Sequence, residues 1–264
     1  MVRIRPSSAN RPPPHGNRNL LLAALPSHEY KRIIRSLDTV PLKVKSLVHR
    51  AGEPIEHVYF PGGGFFSMVT VLKDGRMVEV ATIGREGMVG IEAIQEYPVP
   101  SAAMVQGETG SCYRMQADVF RREMDRRGVF YEVLTLYAQA LVGFIVQSTA
   151  CNAVHSVEQR FARWLLMARD RMESDQFPLT QEFAAMMLGA SRPTVTIVAS
   201  ALQKSGLITY HRGDLTIVDD DGLEAASCEC YRATKNLLNA VMKRARRRTT
   251  AHSLKRARRG RARA

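Results

Sequence analysis

The chain of 264 residues is 45% hydrophobic and 24% charged, an ordinary globular composition, and its length suits one large domain or two moderate ones. It has no run of 18 apolar residues and no apolar stretch in its start, MVRIRPSSANRPPPHG, so neither a membrane-spanning helix nor a secretory signal is expected. Four scattered cysteines (Cys112, Cys151, Cys228, Cys230) are too few for a disulfide framework and fit a reducing cytoplasm. The net charge of +13 is uneven. Eleven Lys/Arg fall in residues 243–264 and four Arg in residues 1–19, with no acid in either, so residues 20–242 are nearly neutral. Runs of like charge without an apolar period predict disorder, and an Arg-rich tail suits a polyanion such as nucleic acid.

After the Pro-rich arm, residues 20–37 read as short helices. Residues 40–118 are rich in Val, Ile, Phe and Thr with frequent Gly. The stretches 65–72 and 77–83 alternate with period two around Lys73-Asp74-Gly75-Arg76, which predicts a hairpin. Further strands are expected at 44–49, 56–60 and 102–115, with Gly62–Gly64 as a turn. Many short strands punctuated by Gly argue for a small antiparallel barrel or jelly roll. Beyond Asp118 the period changes. Residues 129–150 form a long helix almost free of charge, which must be covered on several sides. The barrel covers one side, and a second copy of the chain through Leu136, Ala140 and Phe144 would cover another. Residues 156–172 make a second amphipathic helix.

The densest signal is FPLTQEFAAMMLGASRPTVTIVASALQKSGLITYHRGDLTIV, from Phe177 to Val218. Thr180 is an N-cap and Gly189 a left-handed helix end. Ser191 is the next N-cap, with Arg192 and Pro193 in the first turn. Val195, Val198, Ala199 and Leu202 form an inward stripe. Residues 207–210 and 215–218 form a hairpin around His211 to Asp214. Helix, glycine turn, helix and hairpin make the winged helix-turn-helix plan. The inward stripe leaves Arg192, Thr194, Thr196 and Ile197 at or near the open face, at the helix end that enters a major groove. Thr180, Gln181 and Ser191 offer short donors to phosphates, and His211 or Arg212 reaches phosphates from the wing. Arg192 is the best base reader, through bidentate pairing with guanine.

On these residues, with GEPIEHVYFPGGGFFSMVTVLKDGRMVEVATIGREGMVG upstream, the chain resembles the cyclic-AMP receptor protein/FNR (Crp/Fnr) family of bacterial transcription regulators over roughly residues 20–225. The resemblance implies an α+β fold: an N-terminal cyclic-nucleotide-binding-type β jelly roll, a long dimerisation helix and a C-terminal winged helix-turn-helix. The expected division is a disordered arm at 1–19, a sensor barrel at 20–128, a dimerisation helix and hinge at 129–155, a DNA-binding domain at 156–225, and a C-terminal helix with a disordered basic tail at 226–264. It also implies a homodimer on a pseudo-palindromic promoter site, with double-stranded DNA as partner and RNA polymerase as a further candidate.

Two departures from the family pattern matter. Nucleotide-binding members carry Gly-Glu-hydrophobic for the ribose and Arg-Ser or Arg-Thr for the cyclic phosphate. Here the first region gives Gly90, Ile91 and Glu92, with Ile91 where the acid is expected. The second gives Ser101 and Ala102 with no Arg. A buried phosphate without a cation is poorly compensated, so weak or no binding of cyclic AMP is expected and the effector is left open. Base-reading members often place an acid after the Arg and a second Arg one turn later. Here Pro193 and Ile197 stand there, which shifts weight to apolar contact and DNA shape.

No cysteine precedes Cys112, so the iron–sulfur type of the family is not implied. Cys228 and Cys230 are expected to be idle thiols and His155 a structural or surface histidine. The cysteines and histidines do not cluster at zinc spacing, so no metal and no cofactor is expected. No catalytic motif is present, and the expectation is not an enzyme. Three alternatives stay open: a cyclic-nucleotide-responsive activator with an atypical pocket, a non-specific basic nucleic-acid-associated protein, and a regulatory subunit that binds another protein.

Overall fold

The computed structural model describes residues 18–107 and 112–261, without the side chains of 251 and 253–261. Asn19 is fully buried and caps the first helix, α1 (Leu20–Ala23): its Oδ1 accepts from the Leu21 and Leu22 N–H groups, and its amide donates to the Pro61 and Gly87 carbonyls. The arm expected at 1–19 therefore gives way to packed structure by Asn19, and residues 1–17 lie outside the described residues.

After α2 (Ser27–Ile33), seven short strands follow: β1 (Asp38–Val40), β2 (Leu47–His49), β3 (His57–Pro61), β4 (Phe65–Val71), β5 (Met77–Ile83), β6 (Ser101–Gly107) and β7 (Cys112–Gln116). They form two antiparallel sheets, β1-β7-β3 and β2-β6-β4-β5, with Phe60, Phe66, Val105 and Met115 in the core. The single strand expected over 102–115 is two strands, one in each sheet. The predicted β4–β5 hairpin runs from Phe66 opposite Ile83 to Val71 opposite Met77, and Gly75 supplies the positive φ of +82° its turn requires.

Helix α3 (Ala117–Asp125) leads to α4 (Val129–Val154). The carboxylate of Glu29, on α2, caps α4 by accepting from the Val129 and Phe130 N–H groups at 3.0 and 2.9 Å. Tyr137 donates to the Met88 carbonyl at 2.8 Å and pins α4 to the barrel. By length and composition α4 is apolar enough to cross a membrane, although isolated polar residues break any unbroken apolar run. Half of its most apolar stretch is buried here, as in a core helix.

The second half holds α5 (Val157–Met172), β8 (Gln176–Pro178), α6 (Gln181–Leu188), α7 (Arg192–Lys204), β9 (Ile208–His211), β10 (Asp214–Ile217), α8 (Asp220–Ala226) and α9 (Cys230–Arg261). Two expectations change at α9. Residues 243–261 are helical rather than disordered, because Leu238, Val241, Met242 and Ala245 continue a helical period. Ala140, Leu141 and Phe144 of α4 share one core with Met242 and Ala245, and Arg248 reaches Glu132 at 3.3 Å. Consequently Leu136, Ala140 and Phe144 are buried within one chain. Along its middle α4 leaves Val142 and Val146 open, 61% and 62% exposed, and at its last residue Val154.

A second core forms on the outer face of the larger sheet. Phe65 and Val69 of β4, with Ala102 and Met104 of β6, pack with Phe161, Leu165 and Ala168 of α5 and with the helices beyond it. The sheet is thus buried on both faces. The buried Arg171–Glu86 pair crosses this contact at 2.7 Å, and within the sheet the Ser67 hydroxyl of β4 donates to Glu79 of β5, which faces α5. Burial pushes the Glu79 carboxyl up to about 7, against the pull of Ser67, Arg163 and Arg171.

Candidate nucleic-acid interface

Helices α6 and α7 turn on each other by 107°, within the range of helix-turn-helix units. Gly189 makes the corner at φ +58°. Thr180 caps α6 by accepting from the Phe183 N–H at 3.2 Å, and Ser191 caps α7 by accepting from the Thr194 N–H at 3.2 Å. Pro193 stands in the first turn of α7, where its missing N–H costs nothing. Val195, Ala199 and Leu202 are buried as the period requires, with Val198 half-buried. Arg160 of α5 supports the unit from behind, donating to the Leu188 carbonyl at 2.9 Å and filling the open end of α6.

The opposite face of α7 is bare. Ser191, Arg192 and Pro193 are exposed, Ile197 is 70% exposed, and Thr194 and Thr196 are half-buried. Among the described residues no side-chain partner engages the Arg192 guanidinium. No acid lies in the first turn of α7, so its positive end is uncompensated. Thr196 donates to the Gln181 side-chain oxygen at 2.7 Å, which fixes α6 against α7 and orients the Gln181 amide. The Ser191 and Thr194 hydroxyls bond to each other at 2.7 Å, which commits them first to the cap.

The wing is a three-stranded sheet, β8-β10-β9. His211 pairs with Asp214, so both belong to the strands and the turn is only Arg212-Gly213. Both turn residues have positive φ, +51° and +90°, the two-residue turn that matches strand twist. An arginine at the first position carries strain, and it places an exposed cation at the wing tip beside exposed His211.

The effector positions look different. Gly90 has φ +90° and starts a 3-10 turn over Ile91–Ile94. A side chain at Gly90 would strike the His49 ring at 2.7 Å. His49 is buried, bonded to the His57 carbonyl at 2.7 Å, with its ring 5.7 Å from Tyr59, and Tyr59 lies 6.2 Å from Phe66. Burial lowers the His49 pKa and favours a neutral ring. Ile91 is buried, and Glu92 is largely desolvated, which raises its pKa. Ser101 opens β6, whereas Ala102 belongs to the core against the DNA-binding helices rather than to the barrel interior. The aromatic row His49–Tyr59–Phe66 has no local sequence signal, since its members are 10 and 7 residues apart on three strands.

A correction concerns the thiols. Two separate segments, 151–155 and 228–230, bring Cys151, His155, Cys228 and Cys230 together, their ligand atoms all within 4.8 Å of one another. Sequence spacing hides this because the end of α4 and the start of α9 meet only in the folded chain. The Cys151 and Cys228 sulfurs share a hydrogen bond at 3.5 Å, which lowers the Cys228 pKa and raises that of Cys151.

Comparison with known proteins agrees with this geometry. Residues 39–127 match the cyclic nucleotide-binding domain and residues 159–226 the Crp-like helix-turn-helix domain. No curated protein is similar enough in sequence to match. Among solved structures, one from Eubacterium rectale assigned to the crp/fnr family of transcriptional regulators is 18% identical at TM-score 0.62, covering 78% of this chain and 96% of its own. FixK2 from Bradyrhizobium japonicum is 15% identical at TM-score 0.62, with 73% and 98% covered. The c-di-GMP-responsive global regulator CLP of Xanthomonas campestris is 15% identical at TM-score 0.60, with 73% and 99% covered. With a cyclic nucleotide-binding barrel, a long central helix and a Crp-like helix-turn-helix in this order, the chain belongs to the Crp/Fnr family of transcription regulators.

Proposed function

We propose that the chain binds a specific pseudo-palindromic promoter site as a homodimer and that its barrel does not take cyclic AMP. The observation that carries the reading is the bare face of α7, where an unpaired, exposed Arg192 stands at the positive end of a helix with Pro193 and Ile197 beside it. Arg192 reads a guanine edge, and Ile197 gives apolar contact to a thymine methyl. Thr180, Gln181, Ser191, Thr194 and Thr196 hold phosphates or base edges, and His211 and Arg212 hold the flanking backbone from the wing. The partners are double-stranded DNA and, at a promoter, RNA polymerase; the place of action is the cytoplasm.

Since Ala140 and Phe144 are covered by α9, the dimer seam runs along Val142 and Val146, with Ile94 and Tyr97 (40% and 76% exposed) at its edge. In vitro selection from a random duplex library with ligand-free protein tests the reading. The expected result is a two-fold motif with half-sites about one helical turn apart. Retention of DNA without an enriched motif would leave only non-specific binding by the basic segments. No retention would point to a protein partner instead.

A further inference from the structure

We propose that Cys151, Cys228, Cys230 and His155 form a mononuclear zinc site of the Cys3His type, which ties the end of α4 to the start of α9 at the hinge before the DNA-binding domain. Three sulfurs and an imidazole are the donor set of structural zinc, with S–Zn near 2.3 Å and N–Zn near 2.0 Å. A tetrahedron of those bond lengths has edges of about 3.8 Å between sulfurs and about 3.5 Å from sulfur to nitrogen. Here Cys151 Sγ lies 3.5 Å from Cys228 Sγ, and Cys230 Sγ lies 3.6 Å from His155 Nδ1. All four ligand atoms fall within 4.8 Å of one another, so small side-chain shifts close them on one ion. A polynuclear iron–sulfur core would hold its outer ligands farther apart than this.

The surroundings fit the assignment. Glu229 Oε2 lies 3.1 Å from His155 Nε2, the nitrogen away from the sulfurs, so the carboxylate fixes the tautomer that turns Nδ1 toward the metal. Gln147 donates to Cys230 Sγ at 3.0 Å, as an outer-shell N–H does to a bound thiolate. Three thiolates on one zinc leave a single negative charge. Arg163 is buried, its electrostatic pull reaches both Cys151 and Cys228, and its Nε has no hydrogen-bond partner. The three sulfurs form a buried cluster of their own, apart from both apolar cores.

Chelation is a ligand exchange: three thiol protons leave as three zinc–sulfur bonds form, and no electron moves. The site needs no DNA, so metal stoichiometry and spectrum are read on the protein alone, whatever the outcome of the promoter-binding experiment. The full chain, untagged and kept reduced, should carry one zinc per chain by elemental analysis. Replacing that zinc with Co2+ should give the visible bands of tetrahedral cobalt and a thiolate charge-transfer band. C228S/C230S should lose both, while C112A, altered in the barrel, should keep them. Because Glu229 is largely exposed, E229A should stay folded yet weaken zinc by roughly 10-fold or more in a chelator competition. Folded, reduced protein with no stoichiometric zinc and no thiolate–cobalt band would overturn the proposal. So would a Cys151–Cys228 disulfide as the resting state, or iron with acid-labile sulfide in place of zinc.

Discussion

The two ends of the chain use the same material in opposite ways. At the reading end, α7 buries a narrow stripe and leaves a guanidinium, an isoleucine and a helix terminus uncovered. At the barrel end, the His49 ring fills the space against Gly90 and is backed by Tyr59 and Phe66, with Arg114 of the neighbouring strand β7 beside Tyr59. The exposed Ile197 leaves apolar surface that a partner can cover, whereas the space beside Gly90 is occupied by the protein's own side chains. Between them the larger sheet is buried on both faces, so the barrel acts as the platform of the DNA-binding domain.

The strongest way to break this arrangement is to cut its platform. Removing one partner of the buried Arg171–Glu86 pair leaves an uncompensated charge, so Arg171→Ala should cost about 3–5 kcal/mol in urea unfolding. A loss under 1 kcal/mol would mean that the contact is wet or mobile. Glu79 gives a pH handle on the same contact. Its folded pKa of about 7 exceeds the ordinary 4.5, so the folded state holds the extra proton between those values. This contribution is fully present below about pH 4.5 and is lost as pH rises through 7, by roughly 3 kcal/mol in all. Glu79→Gln should flatten that part of the stability–pH curve; an unchanged curve would place the titration elsewhere.

At the reading end, Arg192→Ala should cost about 1–3 kcal/mol on the selected site and relax preference at one base pair. Equal loss on every sequence would make Arg192 a phosphate contact. Val142→Glu with Val146→Glu should shift the mass in light scattering from dimer to monomer and move protomer stability by only about 0.5 kcal/mol, because both residues are exposed. The smallest effect is expected from deleting residues 253–264, which carry six Lys/Arg. The slope of log affinity against log salt should flatten by about 0.9 for each phosphate that the segment neutralises in the intact protein, and an unchanged slope would make the segment a bystander.

Much of the reading end was legible because its signals are local. Caps, the glycine corner, Pro193 and the 195/199/202 stripe lie within one turn of the groups they act on. The β4–β5 hairpin was legible for the same reason. What stayed hidden is what distant segments do to each other. The period that starts at Leu238 continues through Ala245 inside a run of arginines, where charge masks it, and its partner face lies on α4. Cys151 and His155 are one helical turn apart, a visible pair, but their completion by Cys228 and Cys230 needs α9 to return to the end of α4. The filling of the barrel beside Gly90 likewise depends on strand register, which sets His49 against it.

The most direct test of the central claim is DNA affinity on the selected site, with and without saturating cyclic AMP, by fluorescence anisotropy at fixed salt. Specific binding in the absence of nucleotide and the same affinity in its presence are expected. A tenfold or greater tightening on adding cyclic AMP, about 1.4 kcal/mol of coupling, would contradict the claim and make the barrel a working nucleotide sensor.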